Sequence, residues 1–324
     1  MDKKIRFCLV GRGSIGTRHI RNLQFLGYNN IIAFSKSKDP DKDQEYLNTY
    51  QVRTLHSRNE IKKFNPDVFI IANPTSQHIE AAILALDLGA HIFMEKPLSS
   101  SLHKTSQLKQ RLAPKNKIFL QANCLRFHPA IKKIKSLIER NKLGKIYFAR
   151  IQAGQFLPDW HPEEDYRKTY AGKKSLGGGV ALTLQHEIDY AYWFLGKFSR
   201  VKSLSSKVSD LEIDIKDVAS IILQTEQGAL VEIHLDYLQR PASRSVHIQG
   251  SLGSINYIFG DEVMKFFDFE KRIFIPVLNL KNYNINQMYL EELKHFIACI
   301  KGRVKPLIPF SDALYTLQIC LKIR

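Results

Sequence analysis

The chain is poor in cysteine, in acidic residues and in long apolar runs. Cys8, Cys124, Cys299 and Cys320 stand in 324 residues with no two close together, which removes the CxxC redox and zinc-site readings, so no metal is expected. Cys8 and Cys320 lie in apolar runs, where cysteine acts as a small core residue. No apolar run reaches the length of a membrane span, so no membrane partner is expected. The first run, residues 5–10, is too short for a secretory core and ends on a glycine turn, so it reads as a β-strand of a cytoplasmic protein. Asp and Glu number 31 against 48 Lys and Arg, a formal charge of +17. Such a surplus attracts anions of any kind, from nucleic acid to phosphorylated cofactors, or it is a well-solvated surface. The basic residues are scattered, and no helix-turn-helix, zinc-finger or RNP pattern gathers them, so nucleic acid is not an expected partner.

What is present is an alternation. Strand-like runs at 5–10, 31–34, 68–72, 91–94 and 118–122 are separated by helix patterns at 15–26, 76–88 and 102–112. Residues 35–44 read as a polar stretch before a weak unit near 50–55. Strands alternating with helices at this spacing predict a doubly wound parallel sheet. After Asn123 the texture changes to short alternating segments with turn glycines at Gly228, Gly250 and Gly260, which predict a mostly antiparallel sheet with one exposed face. The predicted organisation is a Rossmann domain over 1–123 and an α+β substrate and oligomerisation domain over 124–324, the last helices packing back on the first domain.

Five segments can carry chemistry. Gly11-Arg12-Gly13-Ser14-Ile15-Gly16 follows a strand and opens a helix. That is the setting in which glycines allow a tight turn, a close approach to a pyrophosphate and helix-on-strand packing. The second strand ends in Ser35-Lys36-Ser37-Lys38, where NAD-binding chains carry an acid for the ribose 2′-hydroxyl. Hydroxyls and ammonium groups suit a 2′-phosphate, so NADP is preferred over NAD; the alternative is a solvated loop from which Asp39 or Asp41 reaches the ribose. Asn73-Pro74-Thr75-Ser76-Gln77-His78 ends the fourth strand at the ligand edge of a parallel sheet, although turn and cap chemistry explains half of its character. Glu95-Lys96-Pro97 ends the fifth strand and aims a lysine at the nicotinamide; taken alone it also suits a surface turn. The triplet Gly177-Gly178-Gly179 precedes a helix on which Thr183, His186 and Asp189 fall three apart and so share a face. A histidine there can move a hydroxyl proton during hydride transfer.

In order and approximate spacing these five segments resemble the Gfo/Idh/MocA family of NAD(P)-dependent oxidoreductases, over essentially the whole chain. The resemblance implies a Rossmann domain followed by an open-faced sheet domain, a sugar, polyol or nucleotide-linked sugar substrate, and homo-oligomers. With the segments read above, cofactor contacts are expected from Gly11, Gly13, Ser14, Ile15, Gly16, Ser35, Lys36, Asn73, Pro74, His78, Glu95, Lys96 and Asn123. The resemblance implies catalysis by Lys96 and His186. An aspartate usually stands three or four residues before that histidine, and this chain has Thr183. His186 then works with another partner such as Asp189, or the protein is a weak or inactive NADP-binding sensor. Arg126-Phe127-His128-Pro129 and the segment from Trp160 to Arg167 resemble a branch associated with bacterial surface sugars. On that footing Arg126, Trp160, Tyr166 and Arg167, with Lys96, Thr183 and His186, are expected to meet substrate. The aromatic segment suits a packed loop over the sheet equally well.

Overall fold

A computed structural model describes residues 4–323. Two compact units emerge, one formed by 4–122 with 289–314 and one by 123–288 with 315–323.

In the first unit β1 (Phe7–Val10), α1 (Ser14–Phe25), β2 (Ile31–Phe34), α2 (Pro40–Tyr50), β3 (Arg53–Leu55), α3 (Arg58–Phe64) and β4 (Val68–Ile71) are followed by α4 (His78–Asp87), β5 (His91–Glu95), α5 (Thr105–Leu112) and β6 (Phe119–Ala122). The six strands are parallel, in the order β3-β2-β1-β4-β5-β6. Strands such as β1 and β4 are buried at every position, as expected for a sheet covered on both faces. The order reverses between β1 and β4, and ligands bind at such a switch point, outside the carboxyl ends of the strands. Leu293 and Phe296 join Phe7, Leu9, Ile70 and Phe93 in one core cluster.

The polar stretch expected at 35–44 is corrected: a helix begins inside it. Asp39 accepts from the Lys42 N–H at 3.1 Å as N-cap, and Pro40 occupies the first helical turn. The helix α3, not foreseen at all, opens on a capping box between Ser57 and Glu60.

The second unit begins with α6 (Pro129–Glu139), β7 (Ile146–Gly154), α7 (Val180–Thr183) and α8 (His186–Leu195). Seven further strands follow: β8 (Phe198–Ser206), β9 (Val218–Thr225), β10 (Leu230–Asp236), β11 (Ser243–Gly250), β12 (Gly253–Ile258), β13 (Val263–Asp268) and β14 (Ile273–Asn279). The last helices of the chain are α9 (Asn286–Ile300) and α10 (Phe310–Lys322). The eight strands run in the order β14-β13-β12-β11-β7-β10-β9-β8, antiparallel except where β10 pairs with β7. Register puts Leu223, Val231, Ala149, Ile248 and Ile255 in one row across the buried face. The next row outward, carrying Ile222, Glu232, Arg150 and His247, faces away from it.

Candidate functional site

The glycine loop has the shape that a bound diphosphate requires. Gly11 sits at φ +104, and a Cβ on it would lie 2.4 Å from the Ala72 carbonyl. A Cβ on Gly16 would lie 2.2 Å from the Gly11 oxygen, so α1 packs on β1 only with glycine there. A Cβ on Gly13 would meet nothing within 4 Å, which leaves open space above the loop. Helix α1 begins at Ser14 with no side-chain cap among the described residues and no acid in its first turn. Its first N–H groups and the positive end of its dipole suit an anion.

A cleft of about 800 Å³ opens beside this loop. Gly11, Ser35, Lys36, Asn73 and Pro74 line it, which gathers five of the residues expected to hold cofactor. Arg12, Ser37, Arg58, Glu80 and Lys104 line it as well. Sequence reasoning missed Arg58. The signal was available, because Arg58 follows the third parallel strand by three residues and so stands at the ligand edge. Asp39, the alternative ribose partner, has its carboxylate engaged in capping α2.

A polar network lies under the β2 loop. Arg12 pairs with Asp43, whose second oxygen lies 2.9 Å from His56 Nε2, while His56 Nδ1 lies 2.9 Å from the Ser35 carbonyl. Burial raises the Asp43 pKa, but the hydrogen bonds from Arg12 and His56 outweigh it and hold the carboxyl below its ordinary value. The Ser35 hydroxyl donates to the Ser37 carbonyl at 2.8 Å.

At the next strands, Glu95 is buried and meets His19 Nε2 at 2.7 Å, and its other oxygen accepts from the Lys96 N–H at 3.3 Å. The half-buried Lys96 is joined to Pro97 by a cis peptide. His78 was expected to touch cofactor, and its position corrects this. The residue is 1% exposed, with Nδ1 2.7 Å from the Pro97 carbonyl and Nε2 2.8 Å from the Asn73 carbonyl. Its contribution is to tie the end of β4 to the turn after β5. Burial pushes the imidazole pKa down, against the two carbonyls that favour its charged form.

In the second unit the expected single helix is broken. Helix α7 ends at Thr183, Leu184 leaves helical geometry, and α8 starts at His186. Thr183, His186 and Asp189 therefore do not share one continuous helix face. All three are buried. The two oxygens of Asp189, the residue expected to partner His186, accept from Arg126 Nε and Nη2, both at 2.8 Å. The same pair corrects the expectation that Arg126 meets substrate, since its side chain is 1% exposed and its fork is engaged inside the unit. Thr183 interacts with the buried Tyr237 phenol, which also donates to the Ala171 carbonyl at 3.3 Å. Asn123 accepts from Gln185 at 3.2 Å in the interior.

The aromatic segment is mixed. Trp160 donates to the Gln155 carbonyl at 3.2 Å, with its ring edge-on to Tyr237 at 5.4 Å. The Tyr166 hydroxyl accepts from the Glu212 N–H at 3.3 Å. Arg167 is exposed and paired with Asp165 and Glu212, both at 2.7 Å, a solvated arrangement in which little is gained from either pair.

Residues 5–123 match the model of the oxidoreductase family with an NAD-binding Rossmann fold, and residues 131–256 match the GFO/IDH/MocA C-terminal domain. The chain belongs to the Gfo/Idh/MocA oxidoreductase family. Among curated relatives, the myo-inositol 2-dehydrogenase of Thermotoga maritima is 26% identical over 97% of this chain and 94% of its own. An uncharacterized oxidoreductase of Bacillus subtilis, YrbE, is 28% identical over 72% of this chain and 67% of its own. The same fold occurs in levoglucosan dehydrogenase complexed with NADH and levoglucosan, at a TM-score of 0.87 and 20% identity over 98% and 96% of the two chains. It also occurs in the WlbA dehydrogenase of Bordetella pertussis complexed with NADH and UDP-GlcNAcA, at a TM-score of 0.82 and 20% identity over 99% and 95%.

Proposed function

We propose that this oxidoreductase uses NADP to oxidise or reduce a hydroxyl or ketone of a sugar, amino sugar or nucleotide-linked sugar. The observation that carries the cofactor reading is the cleft beside the glycine loop. At the end of β2 it presents Lys36 where a carboxylate would repel a 2′-phosphate, with Arg58 on the same lining. The sugar reading rests on relatives named for myo-inositol and levoglucosan.

The residues fit the cofactor: Gly11 and Gly16 have no room for a side chain, and the space over Gly13 is open. When bound, the nicotinamide supplies a hydride donor or acceptor. In this reading Lys96 donates a hydrogen bond from its ammonium to the substrate oxygen and holds it in place. His186 takes the hydroxyl proton as the carbon–hydrogen bond breaks, and returns it in the reverse direction. His19 fixes Glu95 and His78 fixes the Pro97 carbonyl, so both flanks of Lys96 are pinned. Homo-oligomers would form through the outward sheet face, where Leu204, Ile222, Leu230 and Ile258 are exposed.

Thr183, standing where the family usually carries an aspartate, favours one second reading, a sensor that binds NADP without turnover. Wild-type turnover of any sugar would exclude it. The cofactor reading is tested by calorimetry with NADPH and NADH. Tighter NADPH binding is expected, and equal affinities or tighter NADH binding would overturn it.

A further inference from the structure

The cleft is lined by four cations, Arg12, Lys36, Arg58 and Lys104. They are not equivalent. Arg12 is bound to Asp43 and to the Thr54 hydroxyl at 3.4 Å, and its guanidinium lies 5.6 Å from the Tyr46 ring centre. Lys104 is paired with Glu80 at 3.1 Å. Among the described residues Lys36 and Arg58 make no ion pair at salt-bridge distance, although both act with Lys104 in drawing down the Glu80 pKa. Hydroxyl donors are also limited, since the Ser35 proton is engaged by the Ser37 carbonyl.

The two turns that carry these cations are fastened together. The Ser35 N–H donates to the Leu55 carbonyl at 3.1 Å, and His56 Nδ1 lies 2.9 Å from the Ser35 carbonyl. The capping box from Ser57 to Glu60 then fixes the first turn of α3, on which Arg58 stands. Lys36 and Arg58 are thus held on one lining by contacts that exist without ligand.

We propose that Arg58, with Lys36, grips the 2′-phosphate of the cofactor and is the residue that sets discrimination between NADP and NAD. This rests on the cofactor reading above and names the side chain that carries it. A guanidinium fork can give two parallel N–H···O bonds to one phosphate, which an ammonium cannot. Two positive charges match the roughly −1.5 to −2 of a phosphate monoester near neutral pH. Lys36 alone would leave much of that charge uncompensated. Arg12 does not substitute, because its charge is balanced by Asp43 beneath the loop.

The test is calorimetric binding to the full chain, wild type against Arg58→Ala and Arg58→Lys. The probes are NADPH, NADH, adenosine 2′,5′-bisphosphate and ADP, and thermal melting confirms that each variant is folded. Arg58→Ala should weaken NADPH and the bisphosphate by about 10- to 100-fold, the scale of losing charge-assisted hydrogen bonds, and leave NADH and ADP unchanged. Arg58→Lys should recover only part of the loss. If the wild type prefers the 2′-phosphorylated ligands and Arg58→Ala keeps that preference, the assignment to Arg58 falls while the NADP reading stands. A parallel loss with all four ligands would also overturn the assignment, because it would make Arg58 structural. If the wild type shows no preference for the 2′-phosphorylated ligands, the NADP reading falls and this inference with it.

Discussion

Replacing Arg126 by methionine separates two accounts of this arginine. Its sequence context suggests a substrate contact, whereas the structure makes it half of an interior ion pair. The side chains of Arg126 and Asp189 are 1% and 2% exposed, and two hydrogen bonds of 2.8 Å join them. The guanidinium also lies 5.4 Å from the Trp193 ring centre. Methionine keeps most of the volume but leaves the Asp189 carboxylate buried without its partner. Breaking one side of such a pair costs about 3–5 kcal/mol, most of it the penalty of the stranded charge. Urea unfolding followed by tryptophan fluorescence is the assay, because both tryptophans, Trp160 and Trp193, lie in the second unit. A double variant, Arg126→Met with Asp189→Leu, removes both charges and should regain most of the lost stability. A loss under about 1 kcal/mol for Arg126→Met, or a double variant no better than the single one, would refute the reasoning.

Other predictions follow from single contacts. Gly13→Ala should melt like the wild type, since its methyl meets no protein atom within 4 Å, yet bind NADPH at least about tenfold more weakly because that methyl fills the phosphate cradle; wild-type affinity in calorimetry would contradict the cradle. His128 accepts the Ala130 N–H through Nδ1 at 3.2 Å, so its ring is neutral and caps α6. Burial, then repulsion from Arg244, lower its folded pKa from 6.5 to about 4. The folded state thus binds fewer protons than the unfolded one; the stability contribution is complete above pH 6.5 and is lost as pH falls toward 4, on the order of 3 kcal/mol. His128→Asn keeps a cap without titrating and should flatten that slope in urea midpoints; an unchanged slope would remove His128 as its cause.

The legible parts of the sequence were those that local periodicity and turn chemistry determine. Strands buried on both faces, such as β4, read as continuous apolar runs, and the glycine loop carries its own spacing. Helix α2 was obscured because its eleven residues bury only Tyr46 and Tyr50, so the apolar pattern is faint. Its start at Asp39-Pro40 was nevertheless written in cap chemistry. The break between α7 and α8 has no proline or glycine to announce it, only a residue, Leu184, at φ −98 and ψ 35. The pairing of Arg126 with Asp189 joins residues 63 apart, and the parallel pairing of β7 with β10 likewise depends on tertiary packing that no local window contains. Arg58 was overlooked although it follows β3 by three residues, because the weak third strand hid the β2–β3 pairing that puts its turn on the same lining as Lys36.

The central claim is catalysis of hydride transfer on a sugar, and nicotinamide absorbance measures it directly. Wild type and Lys96→Ala are each given NADP or NADPH with a panel of polyols, sugars and nucleotide sugars in both oxidation states. The account predicts a change in absorbance for wild type with at least one member, and its loss in Lys96→Ala while calorimetry still shows cofactor bound. No turnover of any member by wild type, together with ligand binding by Lys96→Ala that matches wild type, would contradict it.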